Sequence, residues 1–267
     1  MTTDVEAMLP LYEAKMIHHY DHRWATYERD GTVRDVTLEE KQDPDFVVIP
    51  RYWVSEDDVA SKLEEKWSYD WLLGWRDICR STDERTCIAT ISGNHASPEG
   101  GTLLAFCDPP EAAPVLLANF NSFAFDFVAR QKVGGTHLKY FTMRQLPMIP
   151  PHVANSIPTW TEKSVAEWIT ERVLELVIDN HEMQSLAQDL GACTPQTPWN
   201  MESRAKVRAE LDAAFFHLYG IERDDVDYIM DTFPIVKRKD EAAFGEYRTK
   251  RLILEAYDAM SVSNVTG

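Results

Sequence analysis

Basic side chains on both sides of a double glycine are the part of this sequence best suited to binding another molecule. Within the segment from Asn121 to Pro151 these residues are Arg130, Lys132, Gly134, Gly135, His137 and Lys139. Arginine makes paired hydrogen bonds with guanine, whereas lysine mainly positions phosphate groups. Glycine leaves room for another molecule to approach the backbone. The pattern predicts a DNA-contacting surface; the alternative is an ordinary apolar helix that ends in a glycine cap.

Four further arginines are expected to contact DNA with this turn: Arg23, Arg76, Arg80 and Arg85. Arg23 follows a run of histidines in which His18 and His22 are four residues apart, the spacing of two metal ligands on one helical face. His19 and Asp21 do not supply an evident third ligand. We therefore expect a polar, phosphate-contacting surface here and no metal site.

The tetrapeptide Asp108-Pro109-Pro110-Glu111 has the outline of the catalytic tetrapeptide that grips a flipped base in adenine-specific DNA methyltransferases. Glu111 occupies the place of the aromatic residue that must stack on adenine. No glycine-rich loop precedes it to hold S-adenosylmethionine. Two prolines suit the first turn of a helix, so we interpret this stretch as a helix start and expect no catalytic residue in it.

Asp45, Glu64 and Lys66 match the loose pattern of a nuclease that gathers carboxylates and a lysine around magnesium. That chemistry requires the second acid and the lysine on a strand, facing the first acid. Glu64 and Lys66 instead end a segment typical of a capped surface helix. A solvated charged face is the preferred interpretation, and a magnesium nuclease is the alternative.

The net charge of −17 opposes DNA binding, because affinity for phosphate comes largely from lysine and arginine. Acidic residues cluster in residues 56–65 and 222–231, away from the basic turn, and DNA responds to the local potential. The four cysteines lack the paired spacing of a zinc site. No apolar stretch is long enough to cross a membrane, and we expect a cytoplasmic protein with no membrane partner.

The helices and strands predicted from the sequence, which must position these residues, indicate an α+β fold. Strands are predicted over residues 46–54, 71–79, 86–92 and 136–141, and a helix from Ser55 to about Lys66. A second helix begins at Pro109 and Pro110, carries an apolar aromatic face, and ends with Gly134 and Gly135 in the left-handed conformation. Long helical patterns then cover residues 161–190, 201–219, 222–233 and 243–260. We divide the sequence into a mixed α/β domain, residues 1–155, and a helical region, residues 156–267.

Four segments in the expected order resemble the C-terminal target-recognition region of large adenine-specific DNA methyltransferases. Those enzymes include type IIG restriction-modification enzymes and DISARM-like methylases of phage defence. The segments are Leu11 to Arg23; Arg76 to Ile78 with Thr82 to Ala89; Asn121 to Pro147; and Tyr228 to Val236 with Gly245 to Lys250.

The resemblance implies that residues 1–155 are a target-recognition domain for double-stranded DNA. It also implies that a methyltransferase core, as an upstream domain or a partner subunit, binds S-adenosylmethionine and methylates adenine. This chain lacks the cofactor loop and a usable catalytic tetrapeptide, so we expect no methyl transfer by it alone. The alternative is an acidic assembly subunit of such a system that does not contact DNA.

Overall fold

The computed structural model describes residues 6–191 and 197–262, which form the α+β fold that the sequence predicts. The chain forms two compact units, each built from separate segments. The first contains the described residues up to 78, residues 88–113 and the described part of 177–199. The second contains residues 79–87, residues 114–176 and the described residues from 200 onward. The division predicted after residue 155 follows a change in sequence pattern, whereas both units contain residues from each side of it.

Two short antiparallel sheets begin the first unit. Strand β1 (Met8–Pro10) pairs with β4 (Trp53–Ser55), and β2 (Ala25–Tyr27) pairs with β3 (Val33–Asp35). Gly31, with a φ of +84°, lies in the turn between β2 and β3, where a side chain would be strained. These strands are short, so side-chain packing must supply most of the stability of this part of the fold.

Helix α1 (Leu38–Gln42) begins with a capping box, and α2 (Glu56–Leu63) begins with three acidic residues that favour a helix N-terminus. Helix α2 confirms the helix predicted after Ser55. The strand predicted over residues 46–54 is wrong except at its end, which forms β4. Its first part packs as irregular chain in the apolar core, and Pro50 supplies no N–H group to a sheet.

The three-stranded sheet of the first unit places β5 (Trp71–Arg76) between β6 (Ala89–Gly93) and β7 (Thr102–Ala105), with both neighbours antiparallel. Strands β5 and β6 confirm two predicted strands, whereas β7 was not predicted. All of β5 except Arg76 is buried, so both faces of the strand are covered. The Trp71 indole donates a hydrogen bond to Asp189 over 2.9 Å, which attaches residues 177–189 to this sheet.

In the second unit, α3 (Ala113–Asn121) and α4 (Phe123–Lys132) replace the single predicted helix, with an angle of 66° between them. Ser122 adopts an extended backbone and caps α4 with its side chain. The Phe123 N–H group donates to the Asp212 carboxylate over 2.8 Å, instead of to a carbonyl of α3. The helix breaks here because polar side chains satisfy the backbone at the break.

The double glycine also differs from expectation. Helix α4 ends at Lys132, and neither Gly134 nor Gly135 adopts a positive φ, so the predicted left-handed cap is wrong. The strand predicted over residues 136–141 is wrong as well, because the helix α5 (Tyr140–Met143) begins there. Buried residues in this stretch do not alternate as they would in a half-buried strand.

The helix predicted over residues 161–190 is interrupted. After α6 (Pro151–Ala154), helix α7 (Val165–Val177) is followed by a short 3₁₀ turn at His181–Met183 and then by α8 (Gln184–Asp189). An Asp-Asn pair lies at the interruption, and both residue types hydrogen-bond locally in ways that compete with a helix.

Four helices complete the second unit: α9 (Met201–Leu218), α10 (Arg223–Asp231), α11 (Pro234–Phe244) and α12 (Arg248–Val262). Helices α9 and α10 confirm two predictions, and Gly220 follows α9 with a φ of +66°. Helix α11 lies mostly between the helices predicted over residues 222–233 and 243–260. Pro234 is its first residue and Gly245 follows it with a φ of +76°, which is the sequence signature of a helix that the prediction missed.

Within the described residues, no single helix is long and apolar enough to cross a membrane; a test of length and composition is met only by residues 110–132, which are bent at Ser122. A 3₁₀ turn at Pro110–Ala112 precedes α3 and confirms the helix start predicted from the prolines. Cys79 and Cys87 are buried and Cys107 is half-buried, whereas Cys193 lies outside the described residues.

Candidate nucleic-acid interface

The second unit contains a long stretch of chain without acidic residues. The sequence has 44 aspartates and glutamates, yet none lies between Asp126 and Glu162. We call residues 127–161 the acid-free segment. It contains the basic residues Arg130, Lys132, Lys139 and Arg144, with His137 and His152. Since a bound polyanion responds to local potential, this stretch is favourable for an anion in spite of the net charge of −17.

Buried apolar residues fix the acid-free segment at intervals. Val133, Leu138 and Leu146 are each at most 6% exposed. At its far end the Asn119 side chain accepts a hydrogen bond from the Ile149 N–H group over 3.2 Å. The basic side chains are therefore carried on a backbone attached to the core, which lowers the entropy cost of binding.

Exposed groups lie next to these anchors. Lys132 and His137 are exposed, and Lys139 is half-buried at the N-terminus of α5. A Cβ atom added to Gly134 or Gly135 would meet no atom within 4 Å. The two glycines therefore leave the backbone open to an approaching molecule, as predicted, although not through a left-handed turn.

Arg130 has a different role from the one predicted. One of its terminal nitrogens donates to the carbonyl oxygens of Asp83 and Glu84, each over 2.6 Å. The other donates to the Thr232 carbonyl over 3.3 Å, and the guanidinium lies 4.0 Å from the centroid of the Phe233 ring. These contacts occupy the guanidinium in holding residues 83–84, so its predicted contact with DNA is replaced by a positioning role.

Arg85 is also an interior residue. Its side chain is 4% exposed and donates from Nε to the fully buried Asp126 carboxylate over 2.5 Å. A terminal nitrogen donates to the Asn121 carbonyl, and the guanidinium lies 3.9 Å from the Phe123 ring centroid. The prediction that Arg85 contacts DNA is wrong in this structure, because the group is surrounded by protein.

Arg80 remains in the candidate interface. Its side chain is exposed. The preceding residue, Cys79, donates its N–H group to the carbonyl of Thr136 over 3.0 Å, which places Arg80 beside the acid-free segment. The backbone next to Arg80 thus lies against Thr136, the residue before His137, and contact of Arg80 with DNA stays a prediction.

Arg23 lies in the first unit and is completely buried. Its guanidinium donates to the carbonyl oxygens of Lys41, Asp43 and Phe46 over 2.9 to 3.1 Å. The Asp179 carboxylate lies 3.5 Å away. The prediction of a surface contact with phosphate is wrong for Arg23, because its donors are occupied in holding the backbone of residues 41–46.

Arg76 also belongs to the first unit and is half-buried at the end of β5. It donates from Nε to the Ile17 carbonyl oxygen over 3.0 Å. Its side chain lines an open cavity of about 490 Å³ together with Lys15, Glu13 and Glu99. Two carboxylates in this lining make it less suited to phosphate than the acid-free segment.

His18 and His22 do not lie on a helix, because Tyr20 has a φ of +57° and His18 pairs with Asp21 in an isolated bridge. His22 is buried, with its Nε2 atom 3.3 Å from the Glu182 carboxylate. Burial opposes its charged form most strongly, yet the bond to Glu182 and its charge raise the pKa of His22. Among the residues that the structure describes, no group of three or more potential ligands could hold a metal ion.

The residues considered for a nuclease are arranged as a charged surface. Asp45 is exposed and pairs with His181 over 2.7 Å. Glu64 and Lys66 are exposed at and beyond the end of α2, and not on a strand. This is the arrangement that the preferred interpretation predicts.

Two residues of the candidate interface were not singled out in the sequence. Phe141 and Arg144 lie in and just after α5, and both are exposed. The absence of acidic residues from 127 to 161 is the sequence signal that identifies Arg144. A search of the chain against protein families, curated proteins and solved structures found no match.

Proposed function

We propose that this chain is a DNA target-recognition module of an adenine-specific DNA methyltransferase or restriction-modification system that acts in phage defence. The main supporting observation is the acid-free segment, which carries Lys132, Lys139 and Arg144 besides the positioning residue Arg130, and none of the chain's 44 acidic residues. A methyltransferase core, as a partner or upstream domain, would bind S-adenosylmethionine. The module would work in the cytoplasm on double-stranded DNA.

The exposed groups suit this role chemically. Lysine ammonium groups such as Lys132 and Lys139 hold phosphates and fix the position of a duplex. The guanidinium groups of Arg80 and Arg144 can pair with guanine edges in the major groove or with phosphates. The open backbone at Gly134 and Gly135 admits close approach of the DNA. The chain alone would not methylate DNA, and unaided methylation by the purified protein would contradict the proposal.

The double variant Lys132→Ala, Arg144→Ala tests the proposal. We expect the full-length protein to bind a pool of random-sequence duplexes at low salt, with an affinity that falls as salt rises. Removal of two phosphate contacts should lower the magnitude of the slope of log K against log salt by about 2. Fluorescence anisotropy between roughly 20 and 200 mM salt measures both slopes.

The control is Lys206→Ala, which removes an exposed lysine next to Glu202 on α9. It should leave the slope unchanged. An equal loss in this control would show that general charge, and not the acid-free segment, governs binding.

A second candidate function is an assembly subunit without DNA contact, which the net charge of −17 and the acidic surface of α10 favour. The same titration separates the two candidates. Absence of salt-dependent binding to duplex DNA by the wild-type protein at the lowest salt would contradict DNA recognition and favour assembly.

A further inference from the structure

Helix α5 presents an aromatic ring to solvent in the middle of the candidate interface. Phe141 is 70% exposed, more than any other large hydrophobic side chain that the structure describes. Singly exposed apolar residues are common on protein surfaces and need no special explanation. The surroundings of this ring must therefore carry any functional argument.

The exposure of Phe141 does not result from a loose chain end. Leu138 before it and Met143 after it are buried, at 0% and 8% exposure. The backbone N–H groups of Met143 and Arg144 donate to the carbonyls of Lys139 and Tyr140, each over 3.0 Å. Phe141 is thus held in a helical turn whose other side is packed into the core.

Positive charge flanks the ring. Arg144 follows Phe141 by three residues in the same turn, a spacing that places both side chains on one face. Lys139 is the first residue of that turn, and no carboxylate lies within fourteen residues of Phe141 in sequence. An aromatic ring with cations before and after it along one turn can contact a base and the neighbouring phosphates of DNA.

Tyr228 provides an internal contrast. It is 64% exposed on α10, and Asp224, Asp227 and Asp231 lie within one turn of it in sequence. Lys250 pairs with Asp227 and Asp231, but the three carboxylates outnumber it and oppose the approach of a nucleic acid. The two rings therefore differ in charge environment far more than in exposure.

We propose that Phe141 inserts its ring at a base step of the bound duplex and stacks on an unstacked base, while Arg144 and Lys139 contact the flanking phosphates. This inference rests on the proposed function. Apolar side chains inserted between base steps unstack and kink DNA, and a ring stacks on any base whatever its sequence. The acid-free segment thus responds to how easily a base step unstacks, in addition to phosphate charge.

The test compares the affinity of the full-length protein for a paired duplex and for the same duplex with one mismatch. Unstacking costs less at a mismatch, so the wild-type protein should bind the mismatched duplex more tightly, on the order of tenfold. Phe141→Ala should lose this preference and bind the mismatched duplex at least about fivefold more weakly. Its salt slope should remain that of the wild type, because the phosphate contacts are retained.

Two further variants complete the comparison. Phe141→Trp keeps a stacking ring and should keep the preference, whereas Tyr228→Ala should match the wild type in both affinities. Thermal unfolding should show that Phe141→Ala is folded, because the side chain it removes is mostly exposed.

The outcomes separate this inference from the proposed function. Salt-dependent binding with an unchanged mismatch preference in Phe141→Ala would overturn ring insertion and leave DNA recognition in place. A reduced salt slope in that variant would also overturn insertion, because Phe141 would then act by holding the cations. Absence of salt-dependent binding by the wild type would overturn both.

Discussion

Asp212 is a buried carboxylate on α9, and one of its oxygens accepts the hydrogen bond from Phe123 that begins α4. Burial raises the pKa of Asp212 to about 6, although the charges of Arg85 and Arg208 and the Phe123 bond favour the ionised form. The folded protein therefore binds a proton at this site more tightly than the unfolded chain, whose aspartates have a pKa of about 3.9.

Asp212→Asn should remove a pH dependence of stability. In the wild type, the contribution of Asp212 to the free energy of unfolding is largest below about pH 4 and falls as the pH rises to about 6. An asparagine amide oxygen can still accept the Phe123 bond without the charge. We expect the variant to gain up to about 2 kcal/mol relative to the wild type between pH 4 and pH 7.

Urea unfolding of both proteins across this range measures the difference. The free energy of unfolding of the variant must be compared with that of the wild type at each pH, because His95 also makes stability depend on pH. Burial lowers the pKa of His95 to about 4, so its contribution to stability is lost as the pH falls. That opposite trend cancels in the difference. A difference in the free energy of unfolding that stays constant across this pH range would contradict the assignment to Asp212.

Residue type alone did not separate the arginines that contact the interior from those that face solvent. Arg80 and Arg85 are five residues apart in one polar turn, yet Arg80 is exposed and Arg85 is 4% exposed. The difference lies in their partners, because Asp126 supplies a buried carboxylate to Arg85 from a distant part of the sequence. Only a structure shows which arginine receives such a partner.

At the scale of elements, two charged side chains of α4, Asp126 and Arg130, hold residues 79–87 in place. Asp126 accepts bonds from the Arg85 side chain and from the Thr86 N–H group, the latter over 3.0 Å. Arg130, one turn later on α4, holds the carbonyls of Asp83 and Glu84. This segment carries Arg80, so the attachment positions part of the candidate interface.

Arg85→Ala should destabilise the second unit strongly. It leaves the Asp126 carboxylate buried without its partner, a change that typically costs about 3 to 5 kcal/mol. Arg80→Ala, in the same segment, should change the free energy of unfolding by at most about 0.5 kcal/mol because its side chain is exposed. Urea denaturation of both variants provides the measurement.

A double variant, Arg85→Met with Asp126→Leu, checks the cause. Replacing both charges should recover part of the lost stability, since the unpaired carboxylate is removed, although the Thr86 N–H group loses its acceptor and Arg130 loses a carboxylate 3.9 Å away. Equal destabilisation by the double variant would indicate that packing around Arg85, and not the buried charge, explains the loss.

Prediction of elements succeeded where local signals agreed with packing. The acidic first turn after Ser55, the buried run of β5 and the glycine after α9 each act through neighbouring residues. The strand expected over residues 136–141 failed because α5 is set by which side chains reach the core. The expected continuous helix through Ser122 failed because Asp212, which is distant in sequence, binds the backbone at the break.

At the scale of the whole molecule, the net charge of −17 works against the local potential of the acid-free segment. Long-range repulsion slows the approach of a polyanion, whereas contacts at the interface determine how long it stays. The two effects have different salt dependences, because screening removes the long-range part first.

The variant Asp224→Asn, Asp225→Asn removes two exposed charges from α10. At about 10 mM salt, where charges act over roughly 30 Å, DNA association should be about twofold faster. At about 150 mM salt the gain should disappear because the range falls to roughly 8 Å. Stopped-flow association rates measure the effect.

The variant Asp57→Asn, Asp58→Asn, on α2 of the first unit, makes the same change in net charge. It should also accelerate association at low salt if net charge is the cause. An association rate that is unchanged in both variants at low salt would contradict a long-range effect.

The sequence by itself determined the α+β class, the helix starts and stops that depend on proline, glycine and acidic residues, and a basic stretch without carboxylates. These properties arise from neighbouring residues and survive in any compact arrangement of the chain. Only the tertiary structure decided that Arg23, Arg85 and Arg130 hydrogen-bond to other parts of the protein. It likewise decided that Arg80, Lys132, Phe141 and Arg144 face solvent. Carboxylates distant in sequence, Asp126 for Arg85 and Asp179 for Arg23, determine which arginines are buried. A buried charge requires a partner, and only folding brings that partner near.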